Sequence, residues 1–300
     1  MEKHNYQRLV TIATWVATCV AVTLLVIKSS AFLYTGAVSI LASLIDSLMD
    51  MGMSVVNLLA VRYALQPPDK EHSFGHGKAE HLAGMAQAAF ITGSAIMLLF
   101  SGVTELLDPK AIQHSNAGIS VMVISTLITF ALVMFQRYVI RKTNNTVIKA
   151  DSMHYAMDIY MNAAVLVALL LSRFGWYWAD GLFAVLIALY ICYGAFGIAK
   201  DSVQNLLDRQ LPESFQIQVL NCALAVPEVM GAHDIRTRQA GQTKFIQLHL
   251  ELDDKLDLYT AHKIADQVED KIVELWPEAD VLIHQDPQSV VPQEKKLELE

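Results

Sequence analysis

Cysteine is nearly missing from this 300-residue chain: Cys19, Cys192 and Cys222 are all it has, and the first two lie inside apolar runs. That excludes a disulfide framework and suits a soluble part on the reducing side of a membrane. Charge is scarce as well, at 17% of residues against 54% hydrophobic, and the formal net charge is -8. Without a basic excess, nucleic acid is not an expected partner. A soluble domain this apolar would be unusual, so long apolar runs are the first thing to seek. They fill the chain as far as Lys200, whereas the sequence from Asp201 onward has ordinary globular charge density.

A membrane-crossing helix needs roughly 20 apolar residues. Six stretches meet that need: Leu9 to Ile27, Val38 to Leu65, Leu82 to Leu107, Ala117 to Val139, Met153 to Leu171 and Gly181 to Ala199. The first is too long for a signal peptide and five more follow it. Gly, Ser and Thr within the spans, as in Ile91-Thr92-Gly93-Ser94-Ala95, favour close helix packing in lipid. An even number of spans puts both termini on one side. Eleven basic residues (Lys3, Arg8, Arg62, Lys70, Lys78, Arg137, Arg141, Lys142, Lys149, Lys200, Arg209) fall on that side and three (Lys28, Lys110, Arg173) on the other. The excess of positive charge marks the cytoplasmic face, so both termini are expected there, with the lipid bilayer as the partner of the spans.

The expected organisation is a membrane domain over residues 1–208, an all-α bundle of six helices, followed by a soluble domain over 209–287 and a disordered tail over 288–300. In the soluble part, Ile217, Leu220 and Leu224 have helical spacing within Pro212 to Ala225. Val229 to Arg238 and Lys244 to Leu252 read as strands about a turn at Ala240-Gly241-Gln242. On the second strand Ile246, Leu248, Leu250 and Leu252 share one face, and Gln247, His249 and Glu251 the other. Ala261, Ile264, Ala265, Val268, Ile272 and Leu275 make an amphipathic helix stopped by Pro277, and Val281 to His284 a last strand. The order αββαβ predicts a small α+β, ferredoxin-like domain with helices on one sheet face.

Asp46 and Asp50 lie within the second span, four residues apart; His154 and Asp158 lie within the fifth, again four apart. Residues at i and i+4 share a helix face, and ionisable residues in a membrane interior are costly enough to be functional candidates. Two facing pairs would offer three carboxylates and one imidazole, a set that suits a tetrahedral divalent cation, zinc first. The alternative is that these groups only satisfy one another by hydrogen bonding. Asp69, His72 and His76, spaced D-x2-H-x3-H between the second and third spans, read either as three ligands for a cation or as an exposed polar loop. His233, His249, His262, His284 and Asp286 are a further set in the soluble domain, more histidine than such a small domain otherwise needs.

Leu44-Ile45-Asp46-Ser47-Leu48-Met49-Asp50, His154-Tyr155-Ala156-Met157-Asp158 and the loop His72-Ser73-Phe74-Gly75-His76-Gly77-Lys78 resemble the signatures of the cation diffusion facilitator family, most of all its bacterial zinc/proton antiporters. The resemblance runs from about Arg8 to Asp286. It implies a homodimer in the bacterial inner membrane that exchanges metal for protons, with Asp46, Asp50, His154 and Asp158 as the transport site. It implies a second metal at Asp69, His72 and His76. It further implies two zinc ions in the soluble domain, one on His233, His249 and Asp286, the other on His249, His262 and His284, with His249 shared. Lys78 and Asp208 match positions that form an ion pair in the family; from the residues alone they are equally well two separate surface charges. The histidine at 154 weighs toward zinc, cadmium or ferrous iron and against manganese.

Metal ligands must lose their protons, so protons and zinc compete for one set of groups. A histidine with a reference pKa near ~6.5 is well placed for that exchange. Alternating access around a midplane site would turn the competition into antiport, and zinc binding by the cytoplasmic domain would regulate it. Two other readings are a passive divalent-metal channel and a membrane metal sensor. An enzyme is not expected: four protein ligands close the site that a catalytic zinc leaves open, and no H-E-x-x-H motif occurs.

Overall fold

The computed structural model describes residues 3–35, 38–108, 116–172, 174, 176 and 178–291. Lys110 and Arg173, two of the three basic residues expected on the outer side, and positions 292–300 of the expected tail lie outside them. The chain divides into two compact units between Val203 and Gln204.

The first unit is built from six long helices: α1 (Lys3–Thr35), α2 (Val38–Ala64), α3 (Ala79–Leu107), α4 (Asn116–Thr143), α5 (Thr146–Ser172) and α6 (Ala179–Leu206). Each expected span falls on one of them. Among the described residues four helices, α1, α3, α4 and α6, are long and apolar enough to cross a membrane; α2 and α5 carry the ionisable pairs. Phe100, Leu127, Tyr193 and Phe196 stand exposed on these helices, an apolar exterior that water would not tolerate over such an area.

The helix α5 starts seven residues before the span that hydropathy marks out, because its first turns carry Lys149 and Asp151. What starts it is a polar cap. Asn145 Oδ1 accepts from Ile148 N at 3.0 Å, the geometry of an N-cap residue and the third helical N–H. Glu80 Oε1, from the first turn of α3, accepts from Thr146 N at 2.7 Å. The interior is otherwise made of small clusters: Tyr6, Val10 and Ala13 against Val61, Val139, Val147 and Ile148, and Ile91 and Ala95 against Ile191 and Ala195. At one crossing of α3 and α6, a Cβ added to Gly102 would lie 2.9 Å from the Gly181 carbonyl oxygen, and one added to Gly181 2.7 Å from that of Gly102. Glycine on both helices permits this backbone contact, which membrane helices use in place of a hydrophobic drive.

The second unit holds α7 (Glu213–Leu224), β1 (Gly231–Ala240), β2 (Thr243–Leu252), α8 (Leu258–Leu275) and β3 (Ala279–Pro287), followed by a 3-10 turn at Gln288–Val290 where the sequence alone suggests the start of a disordered tail. The three-stranded sheet has the order β1-β2-β3, β1 antiparallel and β3 parallel to the central β2. This is the expected αββαβ arrangement. Ile246, Leu248, Leu250 and Leu252 of β2 are buried against Val219 and Ala223 of α7 and Ile264, Val268 and Ile272 of α8. The residues between them on β2 face the other way, as period-two geometry requires. Asp257 begins α8 by accepting from Thr260 N at 2.8 Å, a side-chain N-cap.

Candidate metal centres

Within the membrane unit, Asp50 on α2 and His154 and Asp158 on α5 offer ligand atoms that all lie within 4.8 Å of one another. One turn of α5 separates the last two and places them on one face. His154 Nε2 lies 2.7 Å from Asp50 Oδ1. The imidazole is buried, edge-on to Phe90 at 5.9 Å between ring centroids, and its Nδ1 has no hydrogen-bond partner among the described residues. Asp46, one turn before Asp50 and so roughly 6 Å along the axis of α2, is exposed and stands outside the three-residue group.

The loop between α2 and α3 brings Asp69, His72 and His76 together within the same limit. His72 Nδ1 is 3.5 Å and His76 Nε2 3.3 Å from the Asp69 carboxylate. The loop is tied by its own backbone: His72 N and Glu71 N donate to Asp69 Oδ1 at 2.6 and 2.9 Å. The His72 amide, before the Glu71 amide, holds the Asp69 carboxyl below the usual carboxylate range. His76 is buried beside Tyr63, and its Nδ1 is a further ring nitrogen without a hydrogen-bond partner among the described residues.

In the soluble unit the register decides the site. His233 of β1 pairs with His249 of β2, and His249 with His284 of β3. Three imidazoles thus form a row across the sheet face that α7 and α8 leave open, with ring centroids 5.2 and 4.6 Å apart. Asp286, two residues beyond His284 on β3, reaches all three: 2.6 Å to His249 Nδ1, 3.3 Å to His284 Nε2 and 3.6 Å to His233 Nε2. His249, His284 and Asp286 form one possible ligand group and His233, Asp234 and His249 another, so His249 is common to both. His262 is in the second turn of α8; it is exposed, 3.6 Å from Asp266, and belongs to neither group.

Two residues in this centre escape a reading of the sequence. Asp234 takes a positive φ of 48° at the irregularity between His233 and Arg236, and that bulge, which no pattern announces, turns it toward the histidines. Glu251 is buried and lies 3.2 Å from His233 Nδ1; its place on the His249 face of β2 was the available signal. Gly231 leaves the room, since a Cβ there would lie 2.8 to 3.0 Å from the Glu251 carboxylate. Of the remaining expected pair, Lys78 precedes α3 and Asp208 follows α6, with Arg238 Nη1 at 3.4 Å from Asp208 Oδ1.

Imidazole nitrogen mixed with carboxylate oxygen is the donor chemistry of zinc and its neighbours. In both groups it is the Nε2 of the histidine, His76 or His154, that faces a carboxylate.

Residues 14–207 match the family pattern of the cation efflux transmembrane domain, and residues 211–288 that of the cation efflux protein cytoplasmic domain. The chain therefore belongs to the cation efflux, or cation diffusion facilitator, family of multi-pass membrane transporters. It is 52% identical over 288 residues, 96% of either chain, to the cation-efflux pump FieF of Klebsiella pneumoniae. To FieF of Escherichia fergusonii it is 51% identical over 292 residues, 97% of either chain. Over part of its length it is similar to two solved structures. CzrB in its Zn form is 23% identical, covering 29% of this chain and 99% of that one at a TM-score of 0.27. MamM-CTD is 21% identical, covering 25% and 96% at a TM-score of 0.24. The named relatives are pumps, in keeping with a transporter rather than an enzyme.

Proposed function

We propose that the chain is a homodimeric zinc exporter of the bacterial inner membrane, accepting cadmium or ferrous iron as well, and that it exchanges metal for protons with both termini in the cytoplasm. The observation that carries this reading is the convergence of Asp50, His154 and Asp158 from two membrane helices. Asp46 is the proposed fourth ligand. The proton between His154 Nε2 and Asp50 Oδ1 occupies the ligand atoms a cation needs, so loading metal displaces it and reloading protons expels the metal. Coupling then requires only that the site open to one side at a time.

The loop group at Asp69, His72 and His76 is a second metal position. The row of His233, His249 and His284 with Asp286 would hold zinc in the cytoplasmic domain; His262 is proposed to complete the second ion there. Zinc bound to that domain would favour the dimer and bias the transport equilibrium, a coupling between distant sites. Lys78 and Asp208 are proposed as a structural ion pair.

The test is metal flux in reconstituted vesicles, run with zinc, cadmium, ferrous iron and manganese under an imposed proton gradient. Zinc should leave against an inward proton gradient, and zinc movement should drive protons in return. Flux indifferent to the gradient and to its collapse would establish a passive channel instead; metal binding without flux would establish a sensor.

A further inference from the structure

One carboxylate of the membrane unit is unused by the metal chemistry above. Asp151 lies on α5 three residues before His154, roughly 5 Å along the helix axis. It is buried, and so are the three carboxamides around it. Asn57 Nδ2 of α2 donates to Asp151 Oδ1 at 2.9 Å, Gln87 Nε2 of α3 to the same oxygen at 3.4 Å, and Gln136 Nε2 of α4 to Oδ2 at 2.6 Å. Four helices therefore meet at one carboxyl group.

The orientation of the amides carries the argument. A carboxamide can present either an N–H or an oxygen, and all three present N–H to Asp151. Their own oxygens, Asn57 Oδ1, Gln87 Oε1 and Gln136 Oε1, are buried without a hydrogen-bond partner among the described residues. A protonated carboxyl would need an acceptor for its O–H, and turning one amide over would provide it. The arrangement instead leaves three acceptors idle and aims every donor at the carboxylate, which is how a permanent anion is solvated in place of water. Three N–H groups already occupy most of its acceptor positions, and Asp151 falls outside the Asp50, His154 and Asp158 group.

We propose that Asp151 is a positioning residue for transport: a fixed, amide-solvated negative charge one helical turn from the cation site, raising that site's affinity for a divalent ion without touching it. The proposal rests on the assignment of Asp50, His154 and Asp158 as the cation site. A charge in a low-dielectric interior acts over several ångströms, so removing it should weaken zinc binding by roughly 10- to 100-fold.

The experiment uses the full chain with the other two centres removed by His72→Ala, His76→Ala, His249→Ala and His284→Ala, and titrates Zn2+ against a chromophoric chelator. Adding Asp50→Ala tests the underlying site: zinc bound as tightly as before would overturn that assignment and this proposal with it. Adding Asp151→Asn tests the proposal alone and should weaken binding by the stated factor. The swap Asp151→Asn with Asn57→Asp moves the charge across a single hydrogen bond and should restore affinity to within about threefold, with the thermal unfolding midpoint followed in parallel. Unchanged affinity in folded Asp151→Asn, or a folded swap variant as weak as the single one, overturns the proposal. If Asp151→Asn does not fold, the swap decides: tight zinc binding supports a charge acting at a distance, and loss of binding overturns it.

Discussion

The imidazole of His154 and the carboxylate of Asp50 sit 2.7 Å apart, and that contact joins α5 to α2 across 104 residues of sequence. A proton shared across this contact would sit on atoms that a cation would also claim. The antiport reading depends on this double claim more than on the number of acids in the membrane.

Removing a ligand should end transport without ending the fold. Asp50→Ala or Asp158→Ala is expected to lower zinc flux by more than the roughly 10–100-fold that loss of an outer hydrogen-bond partner costs. Neither residue contributes to the apolar clusters that pack the helices, so the purified variants should elute as folded protein. Normal flux from either, measured in reconstituted vesicles, would remove it from the site.

Metal choice should follow the donor at position 154. Imidazole favours zinc over harder ions, and replacing it by a carboxylate makes the group all-oxygen. His154→Asp is expected to weaken zinc transport and raise the manganese-to-zinc ratio, read by competition between the two metals in one flux assay. A constant ratio would place selectivity elsewhere in the chain.

The histidine row of the soluble unit should bind zinc independently of the membrane. A fragment from Pro212 to Pro287 keeps all three strands, both helices and the core. It is expected to bind zinc and to self-associate more strongly when it does. His249→Ala with His284→Ala should weaken binding by about 3 kcal/mol per ligand, the share of a structural zinc site, measured by calorimetry. In the full chain the same change should leave some flux but blunt its activation by cytoplasmic zinc. A fragment that ignores zinc would reduce the row to surface histidines.

Stability of that fragment should rest on the helix face of the sheet. Ile272 is fully buried among Leu248, Leu250 and Val268. Ile272→Ala should cost about 2–5 kcal/mol in urea unfolding, whereas Gln247→Ala on the exposed side of β2 should fall within about 0.5 kcal/mol of the parent.

Periodicity carried a good part of this. Spans announce themselves by length and apolarity, so six helices could be placed before any coordinates. The i, i+4 spacing put His154 and Asp158 on one face, and strand alternation separated Leu248 from His249, because both follow from the local geometry of a single element. The loop group Asp69, His72 and His76 was equally legible, since all three fall within eight residues of one loop.

What local geometry does not contain is which elements meet and in what register. Pairing of β1 with β2 and of β2 with β3 aligned His233, His249 and His284; a shift of one residue would have sent each to the opposite face. A bulge brought Asp234 to the row, while His262 on α8 belongs to neither group. Asp46 has the right spacing, yet it is not among the residues whose ligand atoms lie within 4.8 Å of one another, which spacing along one helix does not decide. Asp151 with Asn57, Gln87 and Gln136 was invisible for the same reason: four side chains on four helices carry no spacing rule. The elements, and the chemistry each one bears, follow from local pattern along the chain. Tertiary structure alone decided which donors share a site, since the helix crossings and strand register that bring them together depend on packing between residues far apart in the chain.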